Sequence, residues 1–309
     1  MRPAQVGRFF GTAYGSAILA RIREEKVMEY VELNDGNRIP AIGFGVFMIP
    51  ADGPTYEATL AALEAGYRHI DTAAAYMNEQ DVGRAVRDSG IPREAIFVTS
   101  KLWPQDYAAA DAPAGIRRTL DNLGFDYIDL MLLHQPYGPV DEAWAALEKA
   151  KEQGLVRSIG VSNMTPKIWN QWVPGFKTLP AINQVECNPT FQQRALRDLL
   201  DPLGVVVECW YPLGHGNPEL LGNPAITGPA AKYGKDAGQI VLRFETQEGL
   251  VVLPKSTRPA RIKSNLDVFG FELTEDEMDA IRALDTGRGT HDPEDLANAE
   301  RLRSFRVHD

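Results

Sequence analysis

The feature that most constrains this sequence is a rhythm. From Ala41 onward, short apolar runs recur at "AIGFGV" (41–46), "YRHI" (67–70), "AIFVTS" (95–100), "YIDLMLLH" (127–134), "VRSIGVS" (156–162), "AINQVE" (181–186), "GVVVECW" (204–210) and "LVVLPKS" (250–256). Segments of helical period alternate with them at 54–65, 78–89, 111–122, 141–153, 165–171, 192–201, 236–248 and 259–265. Strands that alternate with helices build βαβ units, and therefore a parallel sheet. Eight of each, with no Pro-, Gly- or Ser-rich linker between them, predict an α/β fold: a single closed (β/α)8 TIM barrel. Ahead of it, Asp35-Gly36 lies between two alternating runs, which predicts an N-terminal β-hairpin. "TEDEMDAIRAL" (274–284) reads as an extra amphipathic helix capped by Thr274, and the polar tail from Asp285 as irregular. A doubly wound dinucleotide fold would need G-x-G-x-x-G directly after a strand. The G-x-G triplets at 43–45, 214–216 and 287–289 never reach the third glycine.

Composition narrows the functional classes. A net charge of −10 argues against a nucleic-acid groove and favours a monomeric or weakly associating protein. The two cysteines, Cys187 and Cys209, have neither disulfide-framework nor zinc spacing, which points to no metal and to a reducing cytoplasm. No apolar run is long enough to span a membrane. Residues 1–29 are basic before Glu24 with a middling apolar centre, and are read as an extension ahead of a start at Met28 rather than an export signal. The barrel domain then covers 30–309.

In such a barrel, unusual polar residues at the C-terminal ends of strands carry the chemistry. That rule selects Asp71, Lys101, His134, Ser162 with Asn163, Gln184, Trp210 and Lys255, from seven strand ends that must ring one mouth. Singly, each has an ordinary reading: Asp71 as a helix cap, Lys101 as a solvated loop lysine, His134 as a hydrogen-bonded core histidine, Trp210 as core. Their coincidence at one rim argues against that.

The stretches "HIDTAAAYMNE", "VTSKLW", "DLMLLHQP", "IGVSN", "NQVE", "WYPLG" and "VLPKSTRPARIKSN" resemble the successive signatures of the aldo-keto reductase family. The resemblance runs from about Tyr30 to Leu284, and is nearest to bacterial reductases of the 2,5-diketogluconate type. It implies hydride transfer from NADPH to a small-molecule aldehyde or ketone. Tyr76 is then the general acid, Lys101 the group that tunes it, Asp71 the anchor of Lys101 and His134 the residue that orients the carbonyl. A free phenol titrates near 10, so an adjacent ammonium is expected to bring Tyr76 toward neutrality. A Schiff-base role for Lys101 is the rival chemistry, but it calls for a lysine without a counter-ion.

The resemblance further implies that Ser162, Asn163 and Gln184 hold the nicotinamide carboxamide, and that Trp210 stacks beneath the ring. Pro212, Leu213 and Gly214 would pass the pyrophosphate. Lys255, Ser256, Arg261 and Asn265 would surround a 2′-phosphate at the start of a helix opened by Pro259, with Arg258 as a second contact. A forked guanidinium suits that phosphate and favours NADPH over NADH. Ser264 departs from the carboxylate or amide common in the family, which leaves adenine less firmly held. Phe47 and Trp103 resemble walls of the substrate pocket, with Gln135 and Tyr137 beside the mouth, while His69 reads as structural. Small aldehydes, α-dicarbonyls and keto sugars all fit the pattern. A second class, an NADP(H)-binding redox-sensing subunit, has less use for an intact acid centre.

Overall fold

The computed structural model describes residues 28–309, so the extension expected over 1–29 lies outside the described residues except for Met28 and Glu29. Strands β1 (Tyr30–Glu32) and β2 (Arg38–Pro40) form the expected antiparallel hairpin, in register Tyr30 with Pro40. Its turn closes where Leu33 N donates to Asn37 O at 2.8 Å, with Gly36 at φ 84°. A left-handed residue at the tip explains the Asp-Gly pair.

Eight parallel strands follow: β3 (Phe44–Gly45), β4 (His69–Asp71), β5 (Phe97–Leu102), β6 (Ile128–Leu133), β7 (Val156–Ser162), β8 (Ile182–Glu186), β9 (Val206–Trp210) and β10 (Val251–Val252). They pair in chain order, so the sheet curls into a barrel-like ring. Its two edge strands meet through a parallel bridge from Ile42 to Val252, with Gly43 N donating to Val252 O at 2.8 Å and Val252 N to Ala41 O at 3.0 Å. The eight expected helical segments all form, with ends within two residues of expectation, as Pro54–Ala65, Glu79–Asp88, Ala112–Leu123, Val140–Glu152, Pro166–Trp172, Arg194–Leu200, Ala237–Gln247 and Pro259–Leu266. The added helix, Glu275–Arg282, carries a reciprocal capping box between Thr274 and Glu277.

Two expectations are corrected. The tail from Asp285 is not irregular throughout, because Leu296–Ser304 is helical, with the Asp295 side chain accepting from Ala297 N. The chain between β9 and Ala237–Gln247 also folds into two unanticipated helices, Pro218–Leu221 and Pro224–Tyr233. Each begins with an Asn cap followed by Pro, and Asn217 and Asn223 accept from Glu219 N and Ala225 N. The asparagine satisfies a free amide, and the proline occupies a position that needs no donor.

The alternation of side chains sorts the core into two shells. Outward residues such as Ile70, Val98, Met131, Ile159, Val185 and Val207 pack under the helices. Inward residues Leu130, Leu132, Ile182 and Val251 pack with Leu33 and Ile39 of the hairpin, so the hairpin plugs one end. Asn34 Nδ2 to Pro180 O at 2.9 Å and Asn37 Nδ2 to Ser158 Oγ at 3.0 Å fasten the plug. The opposite end, where the parallel strands finish, stays free for polar side chains. Among the described residues no helix is long and apolar enough to cross a membrane.

Gly83 shows how tightly the outer layer fits, since a Cβ there would run into the Leu123 carbonyl. Gly83→Ala should therefore destabilise the protein by about 1–3 kcal/mol despite the better helix propensity of alanine. Equilibrium urea denaturation measures this, and a gain in stability would refute the close-packing account.

Candidate active site

Parallel register brings the first two polar groups together. Asp71 pairs with Thr99 across β4 and β5, and Lys101 lies two residues further along β5 on the same inward face. Lys101 Nζ donates to Asp71 Oδ1 at 2.7 Å and to Thr72 O at 2.8 Å. Its third contact is the Tyr76 phenol oxygen at 3.2 Å. Lys101 is fully buried and all three ammonium hydrogens have acceptors, so a charged lysine fits the site without water. Burial alone would lower this ammonium, yet Asp71 and Tyr76 more than offset it and hold its pKa raised. Burial likewise raises the Asp71 carboxyl, opposed by the Lys101 charge and by Gln184 Nε2, which donates to Asp71 Oδ2 at 2.8 Å. Asp71 is thus held on both oxygens and caps no helix.

Tyr76 arrives on a single helical turn, Ala74–Tyr76, just after the strand end. Asn78 pins that loop, with Oδ1 accepting from Thr72 Oγ1 at 2.8 Å and Nδ2 donating to Val46 O at 3.1 Å. The phenol departs from expectation. Burial and the nearby Asp71 carboxylate outweigh the lowering by Lys101, and its pKa is pushed up to about 12 rather than toward neutrality. His134 packs edge-on against Tyr76 at 5.5 Å and against Trp103 at 5.0 Å between ring centroids. Burial, then the Lys101 charge, pull its pKa well down, so the imidazole is neutral. Phe47 leans over Tyr76 at 5.0 Å.

On the other side of the mouth, Asn163 bridges two elements. Its Nδ2 donates to His134 O at 3.1 Å, and its Oδ1 accepts from Trp210 Nε1 at 3.0 Å. Ser162 Oγ donates to Gln184 O at 2.8 Å. The three residues expected to hold a carboxamide therefore lie together, but each is also engaged within the protein. Pro212 is buried and Leu213 half-buried, and Gly214 at φ 53° opens the turn Gly214–Gly216. After β10, Lys255 is exposed and Ser256 buried, and Ser256 Oγ accepts from Arg258 N at 3.0 Å ahead of the helix Pro259–Leu266. Arg261 is exposed on that helix while Asn265 is buried. Among the described residues Lys255, Arg258 and Arg261 form no ion pair, and no cluster of His, Cys, Asp and Glu could hold a metal.

With this geometry in place, the comparisons with known proteins decide the family. The pattern described as "Aldo/keto reductase family" matches residues 41–286. The chain belongs to the aldo/keto reductase family. An aldo-keto reductase of Mycolicibacterium smegmatis is 44% identical over 84% of this chain and 94% of its own length. A glyoxal reductase of Bacillus subtilis is 40% identical over 82% of this chain and 92% of its own. The crystal structure of an aspartate-to-alanine variant of Gox0644 in complex with NADPH superposes with a TM-score of 0.81 at 37% identity, covering 86% of this chain and 97% of that one. Membership in the aldo/keto reductase family implies an NAD(P)-dependent oxidoreductase.

Three parts of the site escaped sequence reasoning. Glu208, fully buried on β9, accepts from Gln184 Nε2 at 2.7 Å. Its alternation with Trp210 on a strand that otherwise reads as apolar was the available signal. The contacts of the tail are the second, since the resemblance marks 285–309 as a specificity segment without naming a residue in it. Phe305 packs edge-on against Trp103 at 5.7 Å, and its carbonyl accepts from Trp103 Nε1 at 2.8 Å. Tyr137, expected beside the mouth, spends its hydroxyl on Pro293 O at 3.0 Å. Glu186, at the end of β8, is the third. It accepts from Thr290 N at 2.9 Å, Thr290 Oγ1 at 2.8 Å and His291 N at 3.1 Å, fastening the tail beside Trp210. Glu186→Ala should release that segment. Hydrogen exchange at the Thr290 and His291 amides should rise by about tenfold or more, and unchanged protection would show that the tail is held elsewhere.

Proposed function

We propose that this aldo/keto reductase uses NADPH to reduce small aldehydes and ketones, α-dicarbonyls foremost, to alcohols, with Tyr76 as proton donor. One observation carries the reading: a single buried ammonium, Lys101, touches both Asp71 and the Tyr76 phenol at the mouth of the strands. We read the ring as a closed (β/α)8 barrel, which the hydrogen bonds between Ala41–Gly43 and Val252 support.

The residues present suit the cofactor. Three exposed cations that form no ion pair among the described residues stand around the start of the helix Pro259–Leu266, where helix geometry also favours anions, and they match a 2′-phosphate. Lys255, Ser256, Arg258 and Arg261 would hold that phosphate, with Asn265 behind them. Pro212, Leu213 and Gly214 would pass the pyrophosphate. Trp210 would lie against the nicotinamide, with Ser162, Asn163 and Gln184 at its carboxamide. NADPH, when bound, would supply the hydride for the carbonyl carbon.

The chain's own residues handle the oxygen. Reduction puts negative charge there, and a positioned donor must meet it. Because the Tyr76 oxygen accepts from Lys101, the phenol proton is left to point into the mouth. Burial keeps that proton in place at neutral pH, and once it is given up, Lys101 stabilises the phenolate. Neutral His134, edge-on to Tyr76, orients the carbonyl.

The rim bears on the substrate. Phe47 (42% exposed), Met48 (71%), Met77 (61%) and Phe305 (42%) are all apolar and all adjoin Tyr76, Phe47 or Trp103. Such a border favours compact or apolar carbonyls over hydroxyl-rich keto sugars. The similarity to a glyoxal reductase agrees with that, whereas Trp210 is the feature that favours the 2,5-diketogluconate type.

Tyr76→Phe should lower kcat for glyoxal by about 100-fold to 10,000-fold, with NADPH binding retained as read from tryptophan fluorescence. Wild-type turnover in that variant would sink the assignment. Arg261→Ala should raise the Kd for NADPH about tenfold or more and leave that for NADH nearly unchanged. Equal changes for both cofactors would remove the phosphate role.

A further inference from the structure

Of the buried carboxyls that the catalytic reading does not use, among them Glu79, Asp129, Glu208 and Glu245, only Glu208 has its carboxyl hydrogen-bonded to a residue of the site. Glu208 lies on β9, one inward position below Trp210, and no part of it reaches solvent. Oε2 accepts from Gln184 Nε2 at 2.7 Å, while Oε1 has no hydrogen-bond partner and stands 3.7 Å from His69 Nε2. His69 is itself occupied with Thr99 Oγ1 at 3.0 Å. Burying a carboxyl with one oxygen unmatched is destabilising, and an apolar side chain would fill the same layer at less cost. A purely structural role gives no reason for an acid here.

The partner explains it. Gln184 Nε2 carries two hydrogens: one goes to Glu208 and the other to Asp71 Oδ2 at 2.8 Å. Rolling that amide over would turn its oxygen against the Asp71 carboxylate, which can only accept, so Asp71 holds the nitrogen facing both groups. Asp71 Oδ1 meanwhile holds Lys101 at 2.7 Å, and Lys101 holds the Tyr76 oxygen at 3.2 Å. A continuous chain of buried contacts thus runs from Glu208 to the phenol.

We propose that Glu208 is a positioning residue for the reduction, fixing the Gln184 amide and through it the Asp71–Lys101 pair that sets Tyr76. The inference rests on the catalytic reading of that pair. The charged or titratable groups facing Glu208 are His69 and Asp71 from β4 and Lys101 from β5. Gln184 faces it from β8, and the β10 residue in register with it is Val251. The single cation is already matched by Asp71. Burial, and next the Asp71 charge, therefore push the Glu208 carboxyl up to about 8, so it is protonated at neutral pH. Loss of that proton places a second negative charge on the Gln184 amide and strengthens the hold on Lys101 at the expense of Tyr76. Because the folded state holds the proton more tightly than the unfolded one, the stabilisation is complete below the unfolded carboxyl range near pH 4.5 and fades as pH rises through 8.

The test compares Glu208→Leu and Glu208→Gln with wild type in the whole chain, using glyoxal and NADPH. In Glu208→Leu, kcat should fall by about 10-fold to 100-fold, with the Kd for NADPH changed much less. Glu208→Gln, an isostere of the protonated acid, should restore most of kcat. It should also lack the alkaline decline of kcat/KM near pH 8, and the loss of thermal stability between about pH 5 and 8, that wild type shows. A folded Glu208→Leu with wild-type kcat, or a Glu208→Gln that keeps both declines, overturns the proposal. If Glu208→Leu does not fold, the pH profiles of Glu208→Gln decide. Should wild type itself fail to reduce glyoxal, the catalytic reading fails, and the hold of Glu208 on Gln184 is judged by the stability profile and the amide resonances alone. The Gln184 side-chain amide protons, resolved by nitrogen-15 NMR, should shift as Glu208 titrates near pH 8, and invariant resonances across that range overturn it.

Discussion

Everything at the mouth of this barrel depends on one buried ion pair. Removing an ammonium and a carboxylate from water costs several kcal/mol each, and only good geometry with satisfied hydrogen bonds returns it. Lys101 and Asp71 meet that demand at 2.7 Å, with Thr72 O and the Tyr76 phenol taking the other lysine hydrogens and Gln184 serving the second carboxylate oxygen. If any one of these contacts is lost, a buried charged group is left with an unmet hydrogen bond. The pair is therefore a rigid joint between two adjacent strands and the loop that follows, and on the proposed function also the electrostatic source of the chemistry.

Strand geometry explains why the joint can form. Neighbouring parallel strands hold fixed registers, so residues at Asp71, Lys101, Gln184 and Glu208 converge without any loop having to be ordered first. Gly43 makes room for the layer beneath: a Cβ there would sit 2.8 Å from His69 Cγ, so only glycine admits the imidazole. Below that polar layer the hairpin residues Leu33 and Ile39 seal the interior with apolar contacts. The barrel thus grades from a dry plug, through a hydrogen-bonded middle layer, to a charged mouth.

Much of this was legible in the chain itself. Period-2 runs with acids or amides at their ends locate strands and mouth together, and for that reason Asp71, Lys101, His134 and Gln184 could be chosen from position alone. Other parts were hidden for physical reasons. Glu208 sits between Val207 and Cys209 in a run that reads as core, and only the three-dimensional register reveals the Gln184 amide that it shares with Asp71. The helices Pro218–Leu221 and Pro224–Tyr233 were announced by their Asn-Pro starts, but four to ten residues carry too little periodicity to stand out. The polar tail showed no amphipathic stripe of its own, since carboxylates and carbonyls hold it rather than a hydrophobic face. The sign of the Tyr76 shift could not be foreseen, because sequence shows the neighbouring lysine but not the burial that outweighs it.

On the role proposed for Tyr76, that shift fixes the protonation state from which the reduction starts. A donor for carbonyl reduction must begin protonated, while the reverse reaction would need the phenolate as base. With Tyr76 held up to about 12, the phenol is protonated throughout the neutral range, and the alkoxide formed by reduction is the stronger base. Proton transfer toward product is then downhill, and the Lys101 charge limits the penalty left on the tyrosine. On the proposed reading, burial keeps the donor protonated and Lys101 stabilises the phenolate it leaves.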